Sequence, residues 1–170
     1  MIKISNIILI GMPGSGKSTL GKLLSKELKK DFFDSDEFIE KTENEKIENI
    51  FKFKGECYFR NLERKALKEK IVTLKNSIIA TGGGLPIFNH NIEILKSLGL
   101  VVYIEVNVET LMNRKNLKNR PLLKEDLQKS LIELYEKRAN IYKRAHITIN
   151  CDKKAINEAL NVLKSELEKV

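Results

Sequence analysis

Gly11-Met12-Pro13-Gly14-Ser15-Gly16-Lys17-Ser18-Thr19 is the stretch that decides the fold, because it has the form G-x-x-x-x-G-K-[ST] between a strand pattern and a helix pattern. The apolar run Ile7-Ile8-Leu9-Ile10 precedes it, and leucines at helical spacing follow it: Leu20, Leu23, Leu24 and Leu28. Three glycines let such a loop turn its backbone N–H groups toward phosphate oxygens, and the helix that begins there adds the positive end of its dipole. The pattern predicts a nucleoside triphosphate site formed by Gly14, Ser15, Gly16, Lys17, Ser18 and Thr19. The alternative is a glycine-rich turn that matches by chance.

Two side chains of this phosphate loop (residues 11–19) have predicted chemical roles. Lys17 is long enough to reach the β- and γ-phosphates of a bound nucleotide. Ser18 offers a hydroxyl to Mg²⁺, which prefers oxygen ligands and sits between carboxylates and phosphates. We therefore expect a nucleotide with Mg²⁺ as the cofactors.

Strand and helix patterns alternate along the chain, which predicts an α/β fold with a parallel sheet covered on both faces. Five strands are predicted, at residues 4–10, 31–36, 77–81, 100–104 and 146–149. Helices are predicted at residues 17–29, 37–75, 89–97, 107–115, 125–144 and 153–169, with Gly55 separating two helices of the second segment. We expect one domain, with a core of residues 1–36 and 76–170, a helical insertion at 37–75 that binds the second substrate, and a lid at about 113–125. The role of the insertion is an argument from fold analogy.

Two carboxylates lie at the carboxyl end of the second predicted strand. Asp34 and Asp36 end the segment Asp31-Phe32-Phe33-Asp34-Ser35-Asp36, at the carboxyl edge where open α/β sheets bind ligands. One acid near Ser18 can hold Mg²⁺, and the other can orient a substrate hydroxyl or accept its proton. The alternative is a helix N-cap, since Ser35 and Asp36 precede a helix pattern.

Arginines and a glycine triplet supply the other candidate site residues. Arg60 is a natural fork for a carboxylate or phosphate, with Glu63 three residues on to orient it; the alternative is a surface ion pair. Gly82-Gly83-Gly84 follows a strand directly, which indicates either close approach of a ligand to the backbone or a plain tight turn.

Two further arginines lie in the last third of the chain. Arg120, in the basic segment that includes Pro121, can close over a phosphoryl group as part of a lid; the alternative is a solvated loop. Arg138 lies on a helix pattern one turn before Tyr142, and by spacing alone it can equally be a surface residue.

Composition restricts the partners and the compartment. The chain has 170 residues, 42% hydrophobic and 32% charged, with a net charge of +8 and lysines spread along its length. With 6% aromatics, no Trp and no concentrated basic face, no nucleic-acid partner is expected. Two distant cysteines and the lack of a long apolar run or signal-peptide layout predict a cytoplasmic protein without a membrane partner. A monomer is expected, since no long apolar stripe is evident.

Taken together, the motifs resemble those of the shikimate kinase family over roughly residues 4–149. They are G-x-x-x-x-G-K-S-T at 11–19, F-x-D-x-D at 32–36, G-E-x-x-F-R-x-x-E at 55–63, T-G-G-G at 81–84, R-P-L-L at 120–123 and R-x-x-x-Y at 138–142. The resemblance implies a P-loop kinase fold with a central five-stranded parallel sheet, a substrate-binding insertion and a lid. It also implies transfer of the γ-phosphoryl group of ATP to the 3-hydroxyl of shikimate, in chorismate biosynthesis.

The resemblance assigns roles position by position. Lys17 contacts the transferred phosphoryl group, Ser18 ligates Mg²⁺, and Asp34 assists the metal through water. Asp36 contacts the ring hydroxyls and is the candidate base. With Lys17 and Asp36, Arg120 completes the expected catalytic set, reaching the phosphates from the lid.

The same resemblance assigns the shikimate contacts. Arg60 and Arg138 grip the shikimate carboxylate, and the backbone N–H groups of Gly82, Gly83 and Gly84 face the substrate. The family has a further lid arginine before R-P-L-L, for which Arg114 is the nearest candidate. The adenine contact is expected near residues 150–154.

Rival functions differ in substrate class. A gluconate kinase or a nucleoside monophosphate kinase would share the phosphate loop, but the D-x-D, G-G-G and R-P-L-L motifs disfavour both. A nucleotide-dependent switch or a basic nucleic-acid-binding module would need a guanine-reading motif or a concentrated basic face, and neither is evident.

Overall fold

The structure is a computed structural model that describes residues 5–114 and 127–170. Most of the predicted lid, including Arg120, lies outside the described residues.

A parallel sheet of five strands forms the centre of the described fold, which confirms the predicted class. The strands are β1 (Ile7–Ile10), β2 (Asp31–Asp34), β3 (Ser77–Ala80), β4 (Leu100–Glu105) and β5 (Ile147–Asn150), and their order across the sheet is β2-β3-β1-β4-β5. Every residue of β1 and β3 is buried, as expected for strands covered by helices on both faces.

Seven α-helices flank the sheet within the described ranges. They are α1 (Lys17–Leu28), α2 (Ser35–Glu43), α3 (Ile47–Lys65), α4 (Asn91–Leu98), α5 (Val108–Met112), α6 (Leu127–Tyr142) and α7 (Ile156–Leu167). A π-helical turn (Ala66–Lys70) and a 3-10 turn (Ile71–Thr73) continue α3. The predicted break at Gly55 is confirmed, although as a kink within α3, because Gly55 has φ 81° and ψ 172° there.

Two apolar clusters hold these elements in place. The larger one joins the strands to α1, α4, α6 and α7, with Leu24 of α1 fully buried in it. A smaller cluster of Ile39, Ile50, Phe59 and Ala66 joins α2 to α3 and the π-helical turn. The helical segment after β2 therefore has an apolar centre of its own, and this centre fixes the face of α3 that carries Arg60.

The strand order brings three chain segments to one edge of the sheet. β1 pairs with β3 on one side and β4 on the other, and β2 lies beyond β3. The phosphate loop, the start of α2 and the glycine triplet after β3 therefore share the carboxyl edge of the sheet. Thr81 joins two of them, since its N–H and its hydroxyl both donate to the Leu9 carbonyl, at 3.1 and 3.2 Å. Open α/β sheets usually bind their ligands at this edge, in the crevice where the strand order reverses.

No helix in the described ranges is both long and apolar enough to traverse a bilayer.

Candidate active site

The phosphate loop takes a conformation that glycine permits. Gly14 and Gly16 have φ of 77° and 97°, in the left-handed region, and Gly16 is the residue from which α1 begins. Gly11 has φ 149°, and a Cβ on it would lie 2.6 Å from the Ile104 carbonyl oxygen. The ammonium group of Lys17 donates to the carbonyls of Gly11 (3.0 Å) and Met12 (2.9 Å), which holds it over the loop. The loop thus presents an N-terminal helix end and a buried cation at one place, as anion binding requires.

Asp34 connects the phosphate loop to α2. Its Oδ2 accepts a hydrogen bond from the Ser18 hydroxyl at 2.5 Å. Its Oδ1 accepts from the N–H groups of Asp36 (2.9 Å) and Glu37 (3.2 Å), which makes Asp34 the N-cap of the helix. The expected cap therefore exists, but on Asp34 and not on Ser35 or Asp36. One carboxylate caps α2 with one oxygen and touches Ser18 with the other.

Asp36 lies in the first turn of α2, so helical geometry turns it away from Asp34. An ideal Cβ on Gly82 would overlap Asp36 Oδ1 and would lie 3.0 Å from Glu63 Oε1. Both carboxylates therefore approach the backbone of Gly82 closely. The N–H of Gly82 donates to the Ser35 hydroxyl at 2.8 Å, which corrects the expectation that this N–H faces the substrate.

The other two glycines of the triplet make room for two arginines. A Cβ on Gly83 would lie 3.2 Å from Arg138 Nη1, and one on Gly84 would overlap Arg60 Nη1. The triplet leads into a turn, as one of the two predicted explanations requires, and long side chains meet its backbone; close approach of a ligand stays a prediction. Glycine is needed here for space, since none of the three has the positive φ that would require it.

Arg60 is largely buried and is held by carboxylates, so the surface ion pair considered from the sequence is wrong. Its side chain is 11% exposed and that of Glu63 is 3% exposed. Nη1 donates to Glu63 Oε2 at 2.6 Å, while Nε and Nη2 donate to Glu56 Oε1 at 3.2 and 2.8 Å. Burial raises the pKa of the Glu63 carboxyl to about 7, against the opposing effect of Arg60.

Arg138 is a buried residue of α6, which excludes the alternative of a surface arginine. It is 4% exposed. One turn later, the Tyr142 hydroxyl donates to the Gly83 carbonyl at 2.6 Å, tying α6 to the glycine triplet. Burial raises the pKa of this Tyr142 hydroxyl to about 12, so it remains a donor at neutral pH. Arg60 and Arg138 thus converge on adjacent glycines, where together they can bind a carboxylate.

Two cavities adjoin the phosphate loop. One of about 140 Å³ lies between the loop, Asp34, Asp36 and Gly83. Another of about 400 Å³ lies on the other side of the loop, against Arg114, Cys151 and Lys154. Arg114 Nη1 donates to the Gly14 carbonyl at 2.8 Å, so this arginine is tied to the loop. The structure therefore brings Arg114 together with the segment 150–154 in which the adenine contact is expected.

Some residues of the site were not identified from the sequence. Ser35 is buried and fixes Gly82, and Cys151 lines the larger cavity. Phe88 stacks on Arg60, with the guanidinium carbon 4.4 Å from its ring centroid. For Ser35, the position between the two acids was the one signal available in the sequence. The roles of Cys151 and Phe88 depend on contacts with residues that are distant in sequence.

Comparison with known proteins identifies relatives along nearly the whole chain. The family model described as Shikimate kinase matches residues 13–168. A protein of Clostridium botulinum (strain Loch Maree / Type A3), named Shikimate kinase, is 48% identical over 165 residues, which cover 95% of this chain and 96% of the relative. A Shikimate kinase of Sulfurihydrogenibium sp. (strain YO3AOP1) is 42% identical over 98% of this chain and 99% of its own length.

A solved structure agrees with these sequence matches. The shikimate kinase of Acinetobacter baumannii, determined in complex with shikimate, superposes with a TM-score of 0.90 at 36% identity. The match covers 98% of this chain and 95% of the Acinetobacter chain.

Proposed function

Because the chain belongs to the shikimate kinase family and is an ATP-dependent kinase, we propose that the site at the carboxyl edge of its sheet transfers the γ-phosphoryl group of ATP to the 3-hydroxyl of shikimate. One observation carries the assignment of residues. Asp36, Arg60 and Arg138 come from three different helices and converge on Gly82, Gly83 and Gly84, beside the phosphate loop. Carboxylate-binding and hydroxyl-binding groups thus lie next to a triphosphate site.

The phosphate loop binds the nucleotide. Its backbone and the N-terminus of α1 bind the phosphates through Gly14, Ser15, Gly16 and Thr19, and Lys17 moves from its carbonyl partners to the transferred group. The 400 Å³ cavity beside Arg114, Cys151 and Lys154 receives the nucleoside.

Ser18 and Asp34 fit a Mg²⁺ ion. Ser18 lies on the phosphate loop and Asp34 at the end of β2, with their side-chain oxygens 2.5 Å apart. No cluster of three or more His, Cys, Asp or Glu suited to a metal occurs among the described residues. This agrees with Mg²⁺, which takes few protein ligands and completes its shell with phosphate oxygens and water. When bound, the ion neutralises charge on the phosphates.

The acceptor lies beside the glycine triplet, against Asp36, Arg60 and Arg138. Arg60 and Arg138 bind the shikimate carboxylate, and Asp36 accepts a hydrogen bond from the ring hydroxyl that attacks. Phosphoryl transfer requires mainly positioning and charge stabilisation, so the first task of Asp36 is to align the hydroxyl, and the second is to accept its proton. Arg120, outside the described residues, remains the predicted lid arginine that reaches the phosphates.

Release of ADP tests this proposal directly. The purified chain is incubated with ATP and Mg²⁺ and with shikimate, gluconate, AMP or CMP as the acceptor. ADP release with shikimate alone is the expected result. Release with another acceptor would leave the phosphate loop in place and would refute the roles of Arg60, Arg138 and Asp36.

The remaining expectations on partners stay predictions. We propose a monomeric protein that acts in the cytoplasm on small molecules, without nucleic-acid or membrane partners. Sedimentation of the purified chain tests the first statement, and a salt-dependent nucleic-acid binding assay tests the absence of that partner.

A further inference from the structure

Phe88 covers the Arg60 guanidinium. The guanidinium carbon lies 4.4 Å from the centroid of the Phe88 ring, against 5.5 Å for Phe59 and 5.9 Å for Phe51. Cation–π attraction acts at such distances and grows stronger where water is kept away from the cation. Among these three rings, that of Phe88 therefore interacts most closely with Arg60.

The turn after the glycine triplet places the Phe88 ring there. The backbone N–H of Ile87 donates to the Gly84 carbonyl at 2.9 Å, and the side-chain amide of Asn91 donates to the Leu85 carbonyl at 2.9 Å. Asn89 and His90, the two residues after Phe88, have φ of 53° and 57°. This is a left-handed backbone conformation that residues other than glycine adopt infrequently. The chain thus takes an unusual path at the point where Phe88 is presented to Arg60.

Core packing does not account for Phe88. Within the described residues, its neighbour Ile87 packs against the larger apolar cluster, whereas Phe88 belongs to neither cluster and is 37% exposed. The ring also borders a cavity of about 370 Å³, which Glu56, Lys137 and Arg138 line. Phe88 therefore contacts the guanidinium and also borders open space.

We propose that Phe88 is a positioning residue for substrate binding, which fixes the plane of the Arg60 guanidinium and keeps water off its face. The inference rests on the proposed function, in which Arg60 binds the shikimate carboxylate. Contacts with Glu56 and Glu63 use three of the five N–H groups of Arg60, leaving one on each terminal nitrogen for a ligand. Carboxylates fix the edges of the guanidinium, and Phe88 fixes its plane.

Three substitutions at position 88 distinguish the effect of the aromatic face from the effect of side-chain volume. Phe88→Ala is expected to raise the Kd and the KM for shikimate about three- to tenfold, with kcat and the KM for ATP changed by less than about twofold. Phe88→Tyr, which keeps an aromatic face, is expected to bind shikimate like the wild type. Phe88→Leu, which keeps apolar volume without that face, is expected to resemble Phe88→Ala. Calorimetric titration gives the Kd, steady-state ADP release gives kcat and both KM values, and thermal unfolding verifies folding.

Phe53 provides the matched control. It lies on the same helix as Arg60, is 71% exposed, and has the Lys52 ammonium 5.2 Å from its ring centroid. Phe53→Ala removes an aromatic ring beside a cation far from the proposed contacts, and is expected to leave the Kd for shikimate unchanged. An equal loss of affinity in Phe53→Ala and Phe88→Ala would overturn the inference.

A double-substitution test distinguishes failure of this inference from failure of the proposed function. In an Arg60→Lys background, Phe88→Ala is expected to weaken shikimate binding further by less than about twofold, because the planar guanidinium is gone. If Arg60→Lys weakens binding but Phe88→Ala alone does not, the role of Phe88 is refuted and that of Arg60 stands. Wild-type affinity in Phe88→Leu would likewise refute the role of the ring face. If Arg60→Lys leaves the affinity unchanged, the role of Arg60 fails and the inference with it.

Discussion

Gly84→Ala tests the arrangement of the site with a single methyl group. An alanine Cβ at this position would overlap Arg60 Nη1 and would lie 2.7 Å from Cζ and 3.0 Å from Nη2. Gly84 lacks a positive φ, so its backbone accommodates alanine without strain. The three heavy atoms nearest to the added Cβ all belong to the Arg60 guanidinium. The substitution therefore acts first on the position of this side chain.

The expected magnitude follows from these distances. Carbon atoms in contact settle at roughly 3.5–4.0 Å, so the guanidinium must retreat by about 1 Å. A hydrogen bond between charged groups contributes about 1.5–3 kcal/mol, so a retreat of about 1 Å that breaks the contact of Arg60 with the carboxylate costs up to about 10²-fold, or roughly 2.7 kcal/mol of binding free energy. The displaced atoms are the tip of a flexible side chain, and replacing glycine reduces the entropy of the unfolded chain by about 0.4–1 kcal/mol. We therefore expect the free energy of unfolding to change by less than about 2 kcal/mol.

Calorimetric titration of Gly84→Ala with shikimate and, separately, with a non-hydrolysable ATP analogue makes the measurement. The Kd for shikimate is expected to rise about 10²-fold, while that for the nucleotide stays within about twofold. Gly83→Ala provides a comparison with a smaller shift, because its Cβ would lie 3.1 Å from Pro13 Cδ and 3.2 Å from both Arg138 Nη1 and the Gly11 carbonyl oxygen, so that it also presses on the phosphate loop. Wild-type affinity for shikimate in a folded Gly84→Ala would refute the assignment of Arg60 to the carboxylate.

Three further predictions concern the carboxylates and the metal. Asp36→Asn is expected to lower kcat about 10²- to 10⁴-fold without changing the nucleotide Kd measured by calorimetry, and an unaltered kcat would remove Asp36 from the reaction. Ser18→Ala is expected to raise the Mg²⁺ concentration for half-maximal ADP release about tenfold, because it removes the hydroxyl bonded to Asp34; an unchanged Mg²⁺ dependence would contradict the metal assignment. Burial raises the pKa of Glu63 from 4.5 to about 7, so the folded chain keeps a proton that the unfolded chain releases, and wild-type stability should fall as the pH rises from 4.5 to 7. In urea titrations, the free energy of unfolding of Glu63→Gln should rise relative to that of the wild type by up to about 3 kcal/mol across that range. A difference that does not depend on pH would show that Glu63 does not titrate there. The same rise in the control Glu56→Gln, on the half-exposed partner of Arg60, would show this as well.

The predicted elements depended on local patterns, and most carried over to the structure with small changes at the boundaries. The break between α2 and α3 at residues 44–46 was not predicted within the helical segment 37–75. The phosphate loop was predictable because its glycines, lysine and serine are neighbours in sequence. A helix N-cap at Ser35 or Asp36 was considered only as an alternative, and the cap of α2 lies on Asp34, because β2 ends at Asp34 and the helix begins at the next residue. An error of this size follows from judging a helix start without its hydrogen bonds.

Local sequence patterns could not predict the contacts between segments that are distant in the chain. Arg60 and Glu63 at i and i+3 look like a surface pair, and only the packing of α3 against α2 and the glycine triplet shows that both are buried. The strand order likewise does not follow from the strand patterns, although it decides which loops meet at the carboxyl edge of the sheet.

The sequence by itself determined the α/β class, the phosphate loop and the family resemblance, because each depends on residue types at short, fixed spacings. Only the tertiary structure decided that Gly82, Gly83 and Gly84 make room for Asp36 with Glu63, for Arg138 and for Arg60, in that order. The physical reason is steric. Whether a missing Cβ matters depends on what occupies its place. Here these side chains lie 19 to 55 positions away in the chain, and the packing of α2, α3 and α6 around the end of β3 brings them there.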